Sequence, residues 1–232
     1  ILERLEREPA LFDRVWAAAG AEPTAELVAL ALRHDAEALV DSYLACTTLE
    51  PGVWLLARLH APRRDHAAAC APQLDDLARR ARAAGAGDPG ALAAWLCGPC
   101  GFAGDRSAYD DPQNSFLPCV LERRLGLPIA LTALWLLLCR RLDLAAEAVA
   151  LPGHVVGRWA GGFTDLFAGG RTISRDELDL RARLAGGRDA GPWLAAASDH
   201  ALLRRMARNL TLSYLRRQDA TRASIAHGMA SG

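Results

Sequence analysis

The chain has 232 residues, 51% of them hydrophobic and 23% charged, enough to bury a large core in one domain or one domain with an appendage, which argues against disorder. Its 27 basic and 27 acidic residues cancel, so no chain-wide field draws it to nucleic acid or to an anionic membrane. Every basic residue is arginine, and without lysine both Schiff-base and lysine general-base chemistry are excluded.

Six cysteines, Cys46, Cys70, Cys97, Cys100, Cys119 and Cys139, stand in a chain with no basic-then-apolar leader at its start, which favours reduced thiols and a cytoplasmic location. A first residue of Ile1 rather than methionine, and an unfinished helical pattern at the far end, point to a longer native chain. The uncharged, strongly apolar run Leu125 to Cys139 is shorter than the roughly 20 residues of a membrane span and carries Pro128 near its start. It is expected to be a buried helix.

Up to about residue 100, apolar residues recur at three-to-four spacing, as in Leu27, Leu30, Ala31, Leu39, Val40, Tyr43 and Leu44, which predicts several amphipathic helices. Asp88 before Pro89 predicts a helix over 89–97, because the carboxylate caps free amides and a proline at the first position loses no bond. The stretches 61–65 and 83–90 predict turns, and 109–114 (YDDPQN) an extended loop. Ser115 is expected to cap a helix that ends near Arg124, with Pro118 at its third position. Gly126 breaks that helix and Pro128 opens the long apolar one over 128–142. Arg140 and Arg141 close it against the negative end of its dipole.

From Glu147 the period changes. EAVAL, HVVGRW, FTDLF and RTI are short β-branched or aromatic runs separated by PG, AGG and AGG, which predicts a small antiparallel sheet. Ser174 and Glu177 form a capping box that restarts helix, Leu202, Leu203, Met206, Leu210, Tyr214 and Leu215 line a further one, and Asp219 opens the last. The layout is α+β and mostly helical.

Four short motifs carry a resemblance: Asp111 to Ser115 (DPQNS), Arg123 to Ile129 (RRLGLPI), Pro152 to His154 (PGH) and Asp165 to Arg171 (DLFAGGR). In that order they resemble the bacterial SirB-type proteins of the transglutaminase-like superfamily, and residues 204–223 resemble the start of the tetratricopeptide tail such proteins often carry. The resemblance implies a papain/transglutaminase-like core, with a buried helix packed on the small antiparallel sheet. That core would span 101–185, between a helical N-terminal region (1–100) and C-terminal helices (186–232) able to dock a protein partner.

The superfamily's active members set a cysteine at the N-terminus of the buried helix, where dipole and histidine stabilise the thiolate, with an aspartate orienting the histidine. On this chain the resemblance assigns His154 and Asp165 to the last two roles, but the helix start reads Pro128, Ile129, Ala130, none of which can attack an acyl carbon. A protein that binds or regulates without catalysis is the implied function, with no cofactor. Thr132 lacks a strong base, and Cys119, one turn into the preceding helix, is the alternative nucleophile.

Whether His154 meets Asp165 depends on the hairpin. A turn of only Gly161 and Gly162 would set Asp165 opposite Arg158, with His154 about 13 Å along the strand. A loop from Gly157 to Gly162 would make the pair face each other directly, and the resemblance favours it.

Asn114 and Ser115 suit helix capping. Arg123 or Arg124 can close a helix end or bind a carboxylate such as Asp111, and Arg171 could anchor the same loop, leaving room for an acidic ligand in the cleft. CGPC (Cys97 to Cys100) falls at a helix end, where the dipole opposes thiolate formation, and His60, His66 and Cys70 do not complete a common zinc spacing, so no metal is expected.

Overall fold

In the computed structural model, which describes residues 2–20 and 22–231, the chain is mostly helical with a small antiparallel sheet, the α+β class expected. The N-terminal helices are α1 (Leu2–Arg7), α2 (Pro9–Ala19), α3 (Ala25–Leu44), α4 (Leu49–Ala57), α5 (His66–Ala83) and α6 (Pro89–Cys97). Strands β1 (Ala103–Gly104) and β2 (Leu125–Gly126) pair in parallel, with a 3-10 turn at Pro112–Ser115 and helix α7 (Leu117–Arg123) between them. After the long helix α8 (Pro128–Arg141) come β3 (Glu147–Leu151), β4 (His154–Trp159), β5 (Gly162–Asp165) and β6 (Arg171–Ile173). Helix α9 (Arg175–Leu184), the short strand β7 (Ala196–Ala197), α10 (Asp199–Arg216) and α11 (Ala220–Ser231) complete the described chain. The sheet order is β6-β5-β4-β3-β7, antiparallel throughout. No helix among the described residues is long and apolar enough to cross a membrane.

Helix α8 is buried from Pro128 to Cys139, as its lack of a polar stripe requires. Only its end is charged. Arg141 there reaches Glu50 and Asp75 at 2.8 and 2.7 Å, and Arg140 reaches Asp199 at 2.9 Å, so the last turn ties together α4, α5 and α10. At its centre Trp135, fully buried, donates from Nε1 to the Pro89 carbonyl at 2.9 Å and fixes α6 against α8.

Both faces of the sheet are covered, and successive residues divide between them. Ala148 and Val155 join the core around α8, while Val149, Leu151 and Val156 join a second cluster with Leu178 and Ala182 of α9. The absence of a Cβ at Gly157 lets the Trp135 ring lie against β4. Pro152 and Gly153, the latter at φ +68°, make the two-residue turn that sets His154 opposite Leu151 and first in β4.

Three local expectations need correction. Residues 109–114 do not simply extend, and Ser115 does not cap α7: Asp111, followed by Pro112, accepts from the Gln113 amide at 2.9 Å and starts the 3-10 turn in which Ser115 is the last residue. Helix α7 then begins after Phe116 without a side-chain cap, with Pro118 at its second position. Leu215, in line with the buried residues of α10 by spacing, is exposed because α11 packs over the opposite side.

A methyl group at Gly157 would sit 2.5 Å from a Trp135 ring carbon and 2.9 Å from the Thr164 methyl. Gly157→Ala is therefore expected to destabilise the protein by about 1 to 3 kcal/mol through overpacking. Urea unfolding should show a lower midpoint at unchanged slope; an unchanged midpoint would mean that α8 and the sheet are not in fixed contact.

Candidate functional site

The β4–β5 hairpin turns at Ala160 and Gly161, one residue earlier than the narrow turn expected, and the wide loop from Gly157 does not form. Pairing Trp159 with Gly162 and Gly157 with Thr164 puts Asp165 across from Val156, diagonal to His154 on the same face. Diagonal neighbours can touch when their side chains are long enough, and here they do. His154 Nε2 lies 3.0 Å from Asp165 Oδ1.

Asp165 is 1% exposed, and its oxygens are all engaged. Oδ1 also accepts from the Ala168 amide at 3.1 Å, and Oδ2 lies 2.7 Å from Arg181 Nη2 on α9. Burial pushes this carboxyl up, but the bonds from His154 and then Arg181 outweigh burial and hold it at about 2. An ionised carboxylate only accepts, so His154 Nε2 carries the proton toward it. Nδ1 has no protein hydrogen-bond partner among the described residues and is not sealed from solvent.

The dyad opens toward α9. Its cleft, about 470 Å³, is lined by Arg106, Pro152, His154 and Phe167 on one side and by Arg181 and Leu184 on the other, without any residue of α8 among the described residues. Strand alternation explains this, since Val155 and Gly157 take the face toward α8 and leave His154 and Val156 the other. At the start of α8, Pro128, Ile129 and Ala130 are buried hydrocarbon, and Thr132 is fully buried with its hydroxyl unpartnered among the described residues.

No thiol among the described residues is a hydrogen-bond partner of His154. Cys119 sits in the core near Cys70 and Arg123, its thiol pushed up to about 11 by burial and then, more weakly, by Glu122 and Asp111. Cys97 is the cysteine that senses Asp165: burial first, and that carboxylate second, raise it to about 12, and its Sγ lies 3.5 Å from the Leu166 carbonyl. Cys100 instead faces Arg80, so the CGPC cysteines have different neighbours. Among the described residues no three metal-ligating side chains converge.

The remaining motif residues are brought together elsewhere, around a carboxylate absent from the sequence reading. Asp105, 3% exposed, accepts from Ser107, from the Ala108 amide, from Asn114 Nδ2 at 3.2 Å and from Arg123 at 3.4 Å. Asn114 is thus no helix cap, and Arg123 binds Asp105 rather than Asp111. Arg124, in the left-handed region at φ 59°, donates to the Cys100 carbonyl at 2.9 Å and so anchors the CGPC turn, not the cleft. Arg171 pairs with Glu177 at the surface instead of anchoring the 109–114 loop, because β6 carries it away on the far edge of the sheet.

Sequence reasoning also missed Arg181, Arg106 and Phe167. Phe167 lies within the DLFAGGR motif, and Arg181 follows the capping-box Glu177 by four residues and pairs with it at 2.9 Å, so both left a signal. Phe167 lies edge-on to the His154 ring, with centroids 6.0 Å apart, and fills the space beside Gly104.

With an imidazole oriented by an engaged carboxylate and no thiol bonded to it among the described residues, the arrangement can orient and hold a ligand.

A family model described as the transglutaminase-like superfamily matches residues 68–208. Among curated proteins, a UPF0162 protein of Xylella fastidiosa (strain Temecula1) is 36% identical over 124 residues, 49% of this chain and 44% of that protein. A UPF0162 protein of Pseudomonas aeruginosa is 34% identical over 114 residues, 47% and 42% of the respective chains. F-box only protein 21 of Homo sapiens is 38% identical over 61 residues, 26% of this chain and 10% of its own length. The matches therefore span less than half the length of these relatives. No solved structure matches.

Because Asp165 is held at about 2 against an ordinary 3.8, its bonds stabilise the fold above about pH 4, and that contribution is lost as the pH falls through 2. The stability advantage of wild type over Asp165→Asn is expected to shrink by on the order of 2 kcal/mol between pH 5 and pH 2. Urea unfolding across that range would read the difference; parallel pH profiles would show that Asp165 is not held as a stabilised anion.

Proposed function

The chain belongs to the transglutaminase-like superfamily, and we propose that it is a non-catalytic, SirB-type member that binds or regulates through the His154 and Asp165 cleft. The observation that carries this reading is the separation of the two halves of a catalytic site. The helix start that would hold a thiolate is buried hydrocarbon, and the imidazole opens on the other face of the sheet. The first turn of α8 carries no sulfur for its dipole to stabilise, and among the described residues the hydrogen-bond partner of the His154 ring is the carboxylate that orients it.

In this reading residues 101–185 form the functional core, 1–100 a helical region packed on it, and α10 with α11 the first pair of a tetratricopeptide-like tail. Leu212 and Leu215, exposed on α10, offer a protein partner an apolar surface. A Cys119-dependent hydrolase draws no support from the geometry, since that thiol is buried and held protonated.

Two measurements test the proposal. Incubation with glutamine-containing peptides and a primary amine, followed by mass spectrometry, is expected to leave the peptides intact; turnover that disappears in His154→Ala would defeat the reading. Iodoacetamide at neutral pH is expected to label no thiol at a rate that depends on His154. One cysteine reacting far faster than the rest, and slowed by His154→Ala, would restore the enzyme.

A further inference from the structure

The charges around the His154 cleft do not cancel locally. Its lining carboxylate, Asp165, is buried and spent on His154, the Ala168 amide and Arg181. Arg181 engages Asp165 and Glu177 through Nη2, leaving Nε and Nη1 without hydrogen-bond partners among the described residues. Arg106, exposed on the loop after β1, has no carboxylate partner there either, and its guanidinium stands 5.6 Å from the centre of the Phe167 ring. Behind them Arg205 of α10, half-buried, donates to the Leu151 carbonyl at 2.8 Å and likewise lacks a carboxylate; burial pushes its pKa down.

Nearby acids are committed elsewhere. Glu177 serves Arg171 and Arg181, Asp105 serves Arg123 and Asn114, and Asp110 serves Arg216. The remaining wall is apolar: Pro152, Phe167, Ala168, Ala185 and Leu184, which is 81% exposed at the rim although it is a large aliphatic side chain. The volume, about 470 Å³, falls within the roughly 300 to 1,000 Å³ of small-ligand pockets.

Resting on the non-catalytic reading above, we infer that this cleft binds the free carboxylate of a peptide end. The carboxylate sits between the guanidiniums of Arg106 and Arg181 and the open Nδ1 edge of His154, with an apolar ligand side chain against Phe167 and Leu184. Guanidinium forks match the two oxygens of a carboxylate. The apolar wall selects an anion joined to hydrocarbon, because bare phosphate would satisfy the charges and leave Leu184 and Phe167 wet.

The test uses three probes, N-acetylleucine, N-acetylleucinamide and inorganic phosphate, titrated into isotopically labelled protein while the His154 ring and arginine Nε resonances are followed by NMR. N-acetylleucine is expected to shift His154 and Arg181 saturably, the amide to leave them in place, and phosphate to act more weakly. Arg106→Glu is expected to weaken N-acetylleucine by about tenfold or more, the loss of a charge-assisted contact. Arg106 is exposed, so the fold should survive the change, and Arg106→Gln serves as a second variant. No saturable shift, an equal response to the amide or to phosphate, or unaltered affinity in both variants would overturn the inference. The probe signals separate the two readings: conversion of N-acetylleucinamide to the acid would defeat the non-catalytic reading, whereas an intact but unbound N-acetylleucine would defeat only the carboxylate site.

Discussion

A helix that is apolar around its whole circumference must be enclosed, and the enclosure of α8 governs where the other elements can lie. From Pro128 to Cys139 it offers hydrocarbon in every direction, so α4, α5, α6, α7 and α10 gather round it and the sheet closes the remaining side. Contact is made where the chain is smallest, at Gly157 against Trp135. Charge is admitted only at the last turn, where Arg140 and Arg141 bind carboxylates from three other helices. Enclosure has a chemical consequence as well. The helix start is buried hydrocarbon, and Thr132 beyond it is buried with no hydrogen-bond partner for its hydroxyl among the described residues.

The sheet inherits a second constraint from that packing. One face is committed to α8, so polar side chains from the same strands can gather only on the other, where α9 provides Arg181. His154 and Asp165 both fall there by parity, and a two-residue turn at Pro152 and Gly153 sets that parity for His154. The Asp105 clamp does related work on the neighbouring loop: by binding Ser107, Asn114 and Arg123 it fixes the segment that carries Arg106 and Tyr109. Tyr109 in turn meets the Phe167 ring edge-on. Motif residues far from the imidazole thus shape the cleft without lining it.

Much of the fold was legible because local signals agreed with packing. Asp88 and Pro89 start α6, Pro128 starts α8, and EAVAL, HVVGRW and RTI became strands with the bounds read from their composition. Ser174 accepts from the Glu177 amide as the capping box predicts. What escaped detection depended on pairing across distance. The two-residue strands β1, β2 and β7 are too short to leave a periodic trace, and the Ala160–Gly161 turn sits one residue from the Gly161–Gly162 turn that the glycines suggest. Asp111 is one carboxylate that Arg123 could bind by sequence; Asp105 takes that place because the chain folds back through Ser107 and Ala108 onto it.

The carboxylate of Asp165 is held from two sides. In a catalytic triad the aspartate orients a histidine whose second nitrogen then takes a proton from the nucleophile. Here Asp165 meets His154 Nε2 at 3.0 Å, and it is also bound by Arg181, which belongs to a chain of alternating charges running through Glu177 to Arg171. That sharing neutralises the buried anion without consuming the imidazole's other edge. The result is a partly apolar cleft lined by Arg106, Arg181 and His154, in which the lining carboxylate, Asp165, is already engaged.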